Sequence, residues 1–229
     1  MTEFNVVKFG EYEWTSYGKI LVAFTRDLIG GGTSFGQGFV PFVKDNFGKV
    51  DHVFEWCAGP GFIGFSLLAH SLCNSLTLAD KEQTAVAAAM ASVHVNGLTR
   101  AVSVYRSDCL DDIPSRESWD LVVANPPHSQ VDKVMPDLPS RIYFDRDWSV
   151  HHRFYSQVSR FLRPKASVLI VEDARYSNPS DFKPMIEQAG LQWVDSFDAK
   201  PMIEQAGVQW ADGSNAAENY YFVWSKLAG

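Results

Sequence analysis

From residue 50 onward the chain alternates two patterns of apolar positions. Short runs rich in β-branched and aromatic residues are followed by longer stretches in which apolar residues recur every three or four positions. These periods distinguish strands from helices. They predict strands over residues 50–56, 75–79, 102–105, 120–124, 167–172 and 219–225. Helices are expected over 62–72, over 82–95 with Asn96-Gly97 as the stop, and over 148–161 ahead of Arg163-Pro164. Strand and helix in regular succession imply an α/β fold with a mostly parallel sheet covered on both faces. The polar residues at the strand ends, Glu55, Asp80, Asp108 and Asn125, fall where ligands of such sheets bind.

Two regions depart from the alternation. Residues 1–49 carry Gly30-Gly31-Gly32, Phe35-Gly36-Gln37-Gly38 and the apolar run Phe39-Val40-Pro41-Phe42-Val43, which predicts a short helix. They are expected to form an N-terminal cap or lid on the main domain, residues 50–229. Near the other end, residues 183–199 match 200–216 at 12 of 17 positions, beginning with Lys-Pro-Met-Ile-Glu-Gln-Ala-Gly in both copies. Each copy predicts a short helix, a glycine stop and a strand-like tail. The tandem is expected to place one copy on the sheet and the other as an excursion near its edge, with no function assigned to it.

Composition narrows the class. With 46% hydrophobic residues and 21% charged ones among 229, the chain can build a core and is neither disordered nor fibrous. No apolar run is long enough to span a bilayer, and the first residues do not resemble a signal peptide. Cys57, Cys73 and Cys109 form neither a disulfide framework nor a metal-binding spacing, and His151-His152 lacks partners at metal spacing. A reduced, cytoplasmic protein without bound metal is expected. Net charge is −7, so diffuse attraction to nucleic acid is not built in. The stretch from Arg141 to Lys165 is nevertheless +4, with Arg146, Arg153, Arg160 and Arg163 inside it. It is either a solvated helix face or a local patch for phosphates or an acidic substrate.

Two loops carry the candidate chemistry. Glu55-Trp56-Cys57-Ala58-Gly59-Pro60-Gly61-Phe62-Ile63-Gly64 links a strand to a helix, and its glycines let a ligand approach the backbone. With Asp80 at the next strand end, the pattern suits a dinucleotide or any other ligand built on adenosine. The second loop, Asn125-Pro126-Pro127-His128, closes a strand with a carboxamide and a rigid turn. Neither proline has an N–H, so the turn offers acceptor oxygens suited to a substrate NH₂ group.

Taken together, the Glu55 loop, Asp80, Asn96, Ser107-Asp108 and Asn125-Pro126-Pro127-His128 resemble a class I S-adenosylmethionine-dependent methyltransferase of the small-domain type. The similar branch carries an (Asn/Asp)-Pro-Pro-(Tyr/Phe) motif and methylates nitrogens of nucleic-acid bases or glutamine. The resemblance covers about residues 50–172. It implies a Rossmann-like, doubly wound, seven-stranded, mostly parallel sheet with an antiparallel C-terminal strand, and S-adenosylmethionine as cofactor. By position, Glu55, Cys57, Gly59, Gly61 and Gly64 would hold the cofactor's methionine end, Asp80 its ribose and Asp108 its adenine. Asn125 and the Pro126 carbonyl would accept the target N–H groups beside Pro127, and His128 stands at the aromatic stacking position. Cys57 replaces the usual first glycine, and its backbone is expected to avoid positive φ. Nucleic acid, protein glutamine and small molecules remain open as acceptors. A nicotinamide-dependent oxidoreductase and a catalytically silent binding protein are the competing readings.

Overall fold

The computed structural model describes residues 7–9, 11–28, 32–130, 142–207 and 216–228. Strands β1 (Val7–Phe9), β2 (Tyr12–Tyr17) and β3 (Ile20–Phe24) form an antiparallel meander, and α1 (Phe39–Asn46) follows. The helix stands where the sequence predicts one, whereas the meander is an addition to that reading. The rest alternates as expected: β4 (Val50–Trp56), α2 (Phe62–Ala69), β5 (Cys73–Asp80), α3 (Gln83–Val95), β6 (Val102–Arg106) and β7 (Trp119–Ala124). Then come α4 (Ser149–Val158), β8 (Leu162–Asp173), α5 (Pro179–Gln188), β9 (Leu191–Asp198), α6 (Lys200–Gln205) and β10 (Tyr220–Leu227).

The seven-stranded sheet has the order β6-β5-β4-β7-β8-β10-β9. Pairs from β6 to β8 are parallel, and β10 is antiparallel to both β8 and β9. This is the Rossmann-like arrangement the sequence implied. Strand order reverses between β4 and β7, so the crevice beyond their carboxyl ends is the natural ligand site.

Alternation along each strand sends side chains to two separate cores. Val53, Leu121, Val123, Leu169 and Val171 face the core shared with α2, α3 and the N-terminal segment. Phe54, Trp56, Val122, Val168 and Ile170 face the core under α4 and α5. In the second core Trp56 stacks on Phe154 at 4.0 Å and Phe54 on Trp119 at 3.9 Å. Helix α2 is apolar all round and buried from Phe62 to Leu67, so it needs cover on both sides. One side meets β4, β5 and β7, and the other meets α1, β2 and β3. The meander is tied to α3 as well, where Leu21 N donates to Asn96 Oδ1 at 2.9 Å and Ala23 N to Ser92 Oγ at 2.8 Å.

The tandem repeat lands on both sides of the sheet. Met185 and Ile186 of α5 are buried under the α4 face. Ile203 of α6 is buried in the opposite core, with Met202 packed beside it. The second copy is therefore a packed element rather than an excursion, and its Gln209-Trp210 tail lies outside the described residues.

Candidate functional site

Beyond Trp56 the chain turns through residues 57–61 before entering α2. Cys57 has φ 51°, in the left-handed region that the sequence reading expected it to avoid. The loop imposes this conformation, which costs a non-glycine residue about 1–2 kcal/mol. Ala58 N donates to Ala79 O at 3.0 Å, Gly61 N to Ala58 O at 2.8 Å, and Gly59 N to Asp80 Oδ2 at 2.8 Å. Burial pushes the Cys57 thiol well above its ordinary range, so it stays protonated and is no nucleophile. Cys73 and Cys109, raised by burial to about 12, are equally inert packing residues.

The three loop glycines have different tasks. Gly59 has φ 52°, and a Cβ there would meet only Leu28 O, at 3.7 Å, on the cavity wall. Gly61 and Gly64 do not line the cavity and instead seat α2. A Cβ on Gly64 would stand 2.5 Å from Leu76 Cδ1 and 2.8 Å from Glu55 Oε2. Glu55 is 2% exposed. Its carboxyl accepts from Ile63 N at 3.2 Å and Gly64 N at 2.7 Å, at the start of α2. Burial, reinforced by nearby Asp80, raises it to about 8 against these two amides. In dinucleotide-binding sheets the amides at this helix start hold the pyrophosphate. Here an internal carboxyl already occupies them, which disfavours the oxidoreductase reading.

Asp80 ends β5, with Oδ2 on Gly59 N and Oδ1 accepting from Glu82 N at 2.9 Å. Burial raises its pKa, while the two amides oppose the shift. Asp108 follows β6, half exposed, and Arg153 Nη1 reaches its Oδ2 at 3.2 Å. Arg153 also pairs with Asp111 at 2.7 Å, and Arg163 with Asp51 and Asp120 at 3.0 and 2.9 Å. Arg160 donates to Leu110 O and lies over the Phe161 ring. Arg153, Arg160 and Arg163 are thus engaged by acids and a carbonyl of the sheet and of the loop after β6, and Arg146 lies over the Phe144 ring; Arg141 lies outside the described residues.

Asn125 follows β7, and its Oδ1 sits 2.8 Å from His128 Nε2. Pro126, Pro127 and His128 are buried behind it. One cavity brings together Glu55, Cys57, Gly59, Asp80, Asp108, Asn125, Pro126, Pro127 and His128. Its lining also includes residues outside the two loop motifs: Phe35, Tyr143, Arg175, Tyr176 and Tyr220. Arg175 is clamped by buried Asp173 at 2.6 Å and lies over the Tyr176 ring. Among the described residues no group of three or more His, Cys, Asp or Glu is placed to hold a metal. No helix there is long and apolar enough to cross a membrane.

The family model described as methyltransferase small domain matches residues 37–190. None of the curated proteins compared matches the sequence. Among solved structures, the chain is similar to a ribosomal protein L11 methylase from Lactobacillus delbrueckii subsp. bulgaricus. That match has 13% identity and TM-score 0.57, over 87% of this chain and 81% of the other. It is also similar to the T. thermophilus 16S rRNA N2 G1207 methyltransferase solved with AdoMet and guanosine. There the identity is 13% and the TM-score 0.58, over 94% of this chain and 48% of the other. The N-methyltransferase NodS from Bradyrhizobium japonicum WM9, solved with S-adenosyl-L-homocysteine, matches at 15% identity and TM-score 0.53, over 84% and 86%. At these identities the likeness establishes the shared fold, and the chain spans about half the length of the rRNA enzyme.

Proposed function

The chain belongs to the methyltransferase small domain family and is an S-adenosylmethionine-dependent methyltransferase, and from that premise we propose that its acceptor atom is a planar amino or amide nitrogen. The acceptor molecule would be a nucleic-acid base or a protein glutamine. The observation that carries this reading is the carboxamide of Asn125, set after β7 in the same cavity as the glycine loop.

The residues present fit the cofactor. Gly59 leaves open the space that a Cβ would fill, which lets the methionine end approach the backbone. Asp80 retains lone pairs for ribose hydroxyls beside its two amide bonds, and Asp108 stands at the next strand end for the adenine amino group. Glu55, proposed from the sequence for the methionine end, would act chiefly by shaping that loop through Ile63 and Gly64. When bound, S-adenosylmethionine supplies an electrophilic methyl group.

The chain's own residues align the acceptor. An amide or arylamine nitrogen is a poor nucleophile because its lone pair is delocalised. Asn125 Oδ1 and the Pro126 carbonyl would each accept one N–H, turning the nitrogen toward a tetrahedral shape with its lone pair directed at the methyl group. Asn125 Oδ1 has two lone pairs, so its bond to His128 leaves one for the substrate. Fixed dipoles of this kind contribute alignment and charge stabilisation. The relatives' acceptors, an rRNA N2 position and a ribosomal protein, are in keeping with this chemistry.

The test uses labelled S-adenosylmethionine with pooled RNA, protein and metabolite fractions, beside calorimetric titration with S-adenosylhomocysteine. Asn125→Ala is expected to abolish label transfer while leaving S-adenosylhomocysteine affinity within a few-fold. Equal loss of both would refute the role given to Asn125.

A further inference from the structure

One edge of α4 and of the turn after it carries Arg153, Gln157 and Arg160, spaced by four and three residues and so neighbours on one side. All three reach the same short loop. Arg153 Nη1 donates to Asp108 Oδ2 at 3.2 Å, and its Nη2 donates to Asp108 O at 3.2 Å and to Asp111 Oδ2 at 2.7 Å. Gln157 accepts from Leu110 N at 3.1 Å and donates to Asp111 Oδ1 at 2.5 Å. Arg160 Nη2 donates to Leu110 O at 3.2 Å.

The loop depends on this support. Residues 107–118 join β6 to β7 without a helix, and Cys109 has φ 59°, in the left-handed region. A residue other than glycine is strained there and stays only where its surroundings hold it. The turn's own bond, Asp111 N to Asp108 O, is long at 3.4 Å. On the sheet side Ser107 N donates to Asp80 O at 3.0 Å, and Ser107 Oγ accepts from Asp112 N at 3.1 Å. The bonds from α4 fall on both sides of Cys109.

Helix α4 is itself a fixed platform. On its buried side His151 lies between two carboxylates, with Nδ1 2.7 Å from Asp145 Oδ2 and Nε2 2.9 Å from Glu172 Oε1. All three residues are at most 1% exposed. Burial alone would lower the His151 pKa, but Glu172 and Asp145 outweigh burial and hold it at about 9. Glu172 Oε2 in turn meets His128 Nδ1 at 3.2 Å. The helix is thus tied to β8 on one side and to the loop after β6 on another.

Asp108 lines the cavity, and beside its bond to Arg153 the carboxylate keeps lone pairs for a ligand N–H. Arg153 acts on it in two opposed ways. Its charge weakens Asp108 as an acceptor, whereas its fork fixes where the carboxylate stands. The two side chains are 41% and 59% exposed, so water screens the first effect. The planar guanidinium, bonded to Asp108 twice, secures the second.

We propose that Arg153 is a positioning residue for the cofactor's adenine. It holds Asp108 where the carboxylate accepts the exocyclic amino group, and Gln157 and Arg160 set the loop that carries it. This rests on the assignment of Asp108 to adenine in the proposed function.

The test is calorimetric titration with S-adenosylhomocysteine and with its analogue bearing purine in place of adenine, which lacks the amino group. The parent should prefer S-adenosylhomocysteine by about tenfold, the scale of one hydrogen bond to a charged acceptor. Arg153→Ala should lower that preference to threefold or less, with affinity for the purine analogue unchanged within twofold. Added to Asp108→Ala, the same change should have no further effect on preference, because its route is Asp108. Undiminished preference in Arg153→Ala overturns the proposal, whether both ligands weaken alike, as for a merely structural contact, or neither does. Preference kept by Asp108→Ala, or absent in the parent, would instead refute the adenine assignment on which the proposal stands. The methyltransferase reading survives either result.

Discussion

Two glycine-to-alanine changes five residues apart should separate binding from stability. In Gly64→Ala the added Cβ would stand 2.5 Å from Leu76 Cδ1 and 2.8 Å from Glu55 Oε2. The helix cannot shift away without breaking the 2.7 Å bond from Gly64 N to Glu55. Overpacking of this kind costs about 1–3 kcal/mol, and leaving the buried Gly64 amide unpaired about 1–3 kcal/mol. Alanine's better helix propensity returns about 1 kcal/mol, leaving a net loss of about 1–5 kcal/mol. For a chain of this length that is a melting-temperature drop of roughly 2–20 °C. In Gly59→Ala nothing stands closer than Leu28 O at 3.7 Å, so only the left-handed backbone is penalised, by about 1 kcal/mol. The new methyl group enters the cavity, and S-adenosylhomocysteine affinity should fall by more than tenfold. Thermal melts by circular dichroism and calorimetric titration of both variants decide the matter. A Gly64→Ala melt within 2 °C of the parent, or Gly59→Ala binding within threefold, would refute the division of labour.

Two further outcomes follow from burial. His151 is held at about 9 in the fold against about 6.5 in an unfolded chain. Its contribution is therefore complete below pH 6.5 and disappears as pH rises through 9, by about 3 kcal/mol in all. Urea unfolding curves of the parent and of His151→Gln should converge across that window, and a constant gap between them would contradict the assignment. Ile203→Ala in the second repeat copy removes a buried side chain and should cost about 2–4 kcal/mol. A change under 0.5 kcal/mol, again by urea unfolding, would mean that α6 is not seated.

Much of the architecture was legible because the parallel strands are continuous apolar runs with sharp ends. Strand β7 was bounded by Asn125-Pro126-Pro127, and β4 by the glycine loop. The sequence places the start of β8 at residue 167, five residues late, because Arg163-Pro164-Lys165 resembles a break. The structure accommodates them in a bulge: Trp119 pairs with Leu162 and Leu121 with Ser167, so β8 has extra residues that the ladder need not bond. The meander was missed because Tyr12–Tyr17 alternates only weakly, and its partners on α3 are distant in sequence. In the site, the two loop motifs point to Asn125 and Asp80 but carry no sign of the buried side chains behind them. His128, Asp145, His151 and Glu172 meet only through the fold. One signal was present: Glu172 is an acid at the end of a strand otherwise buried from Ala166 onward, and such an acid needs a partner.

The doubled octapeptide has a consequence for refolding. Two nearly identical segments, 17 residues apart, compete for two berths on opposite sides of one sheet edge. Chains with one segment altered should reach the native state with fewer wrong turns, even where the finished protein is weaker.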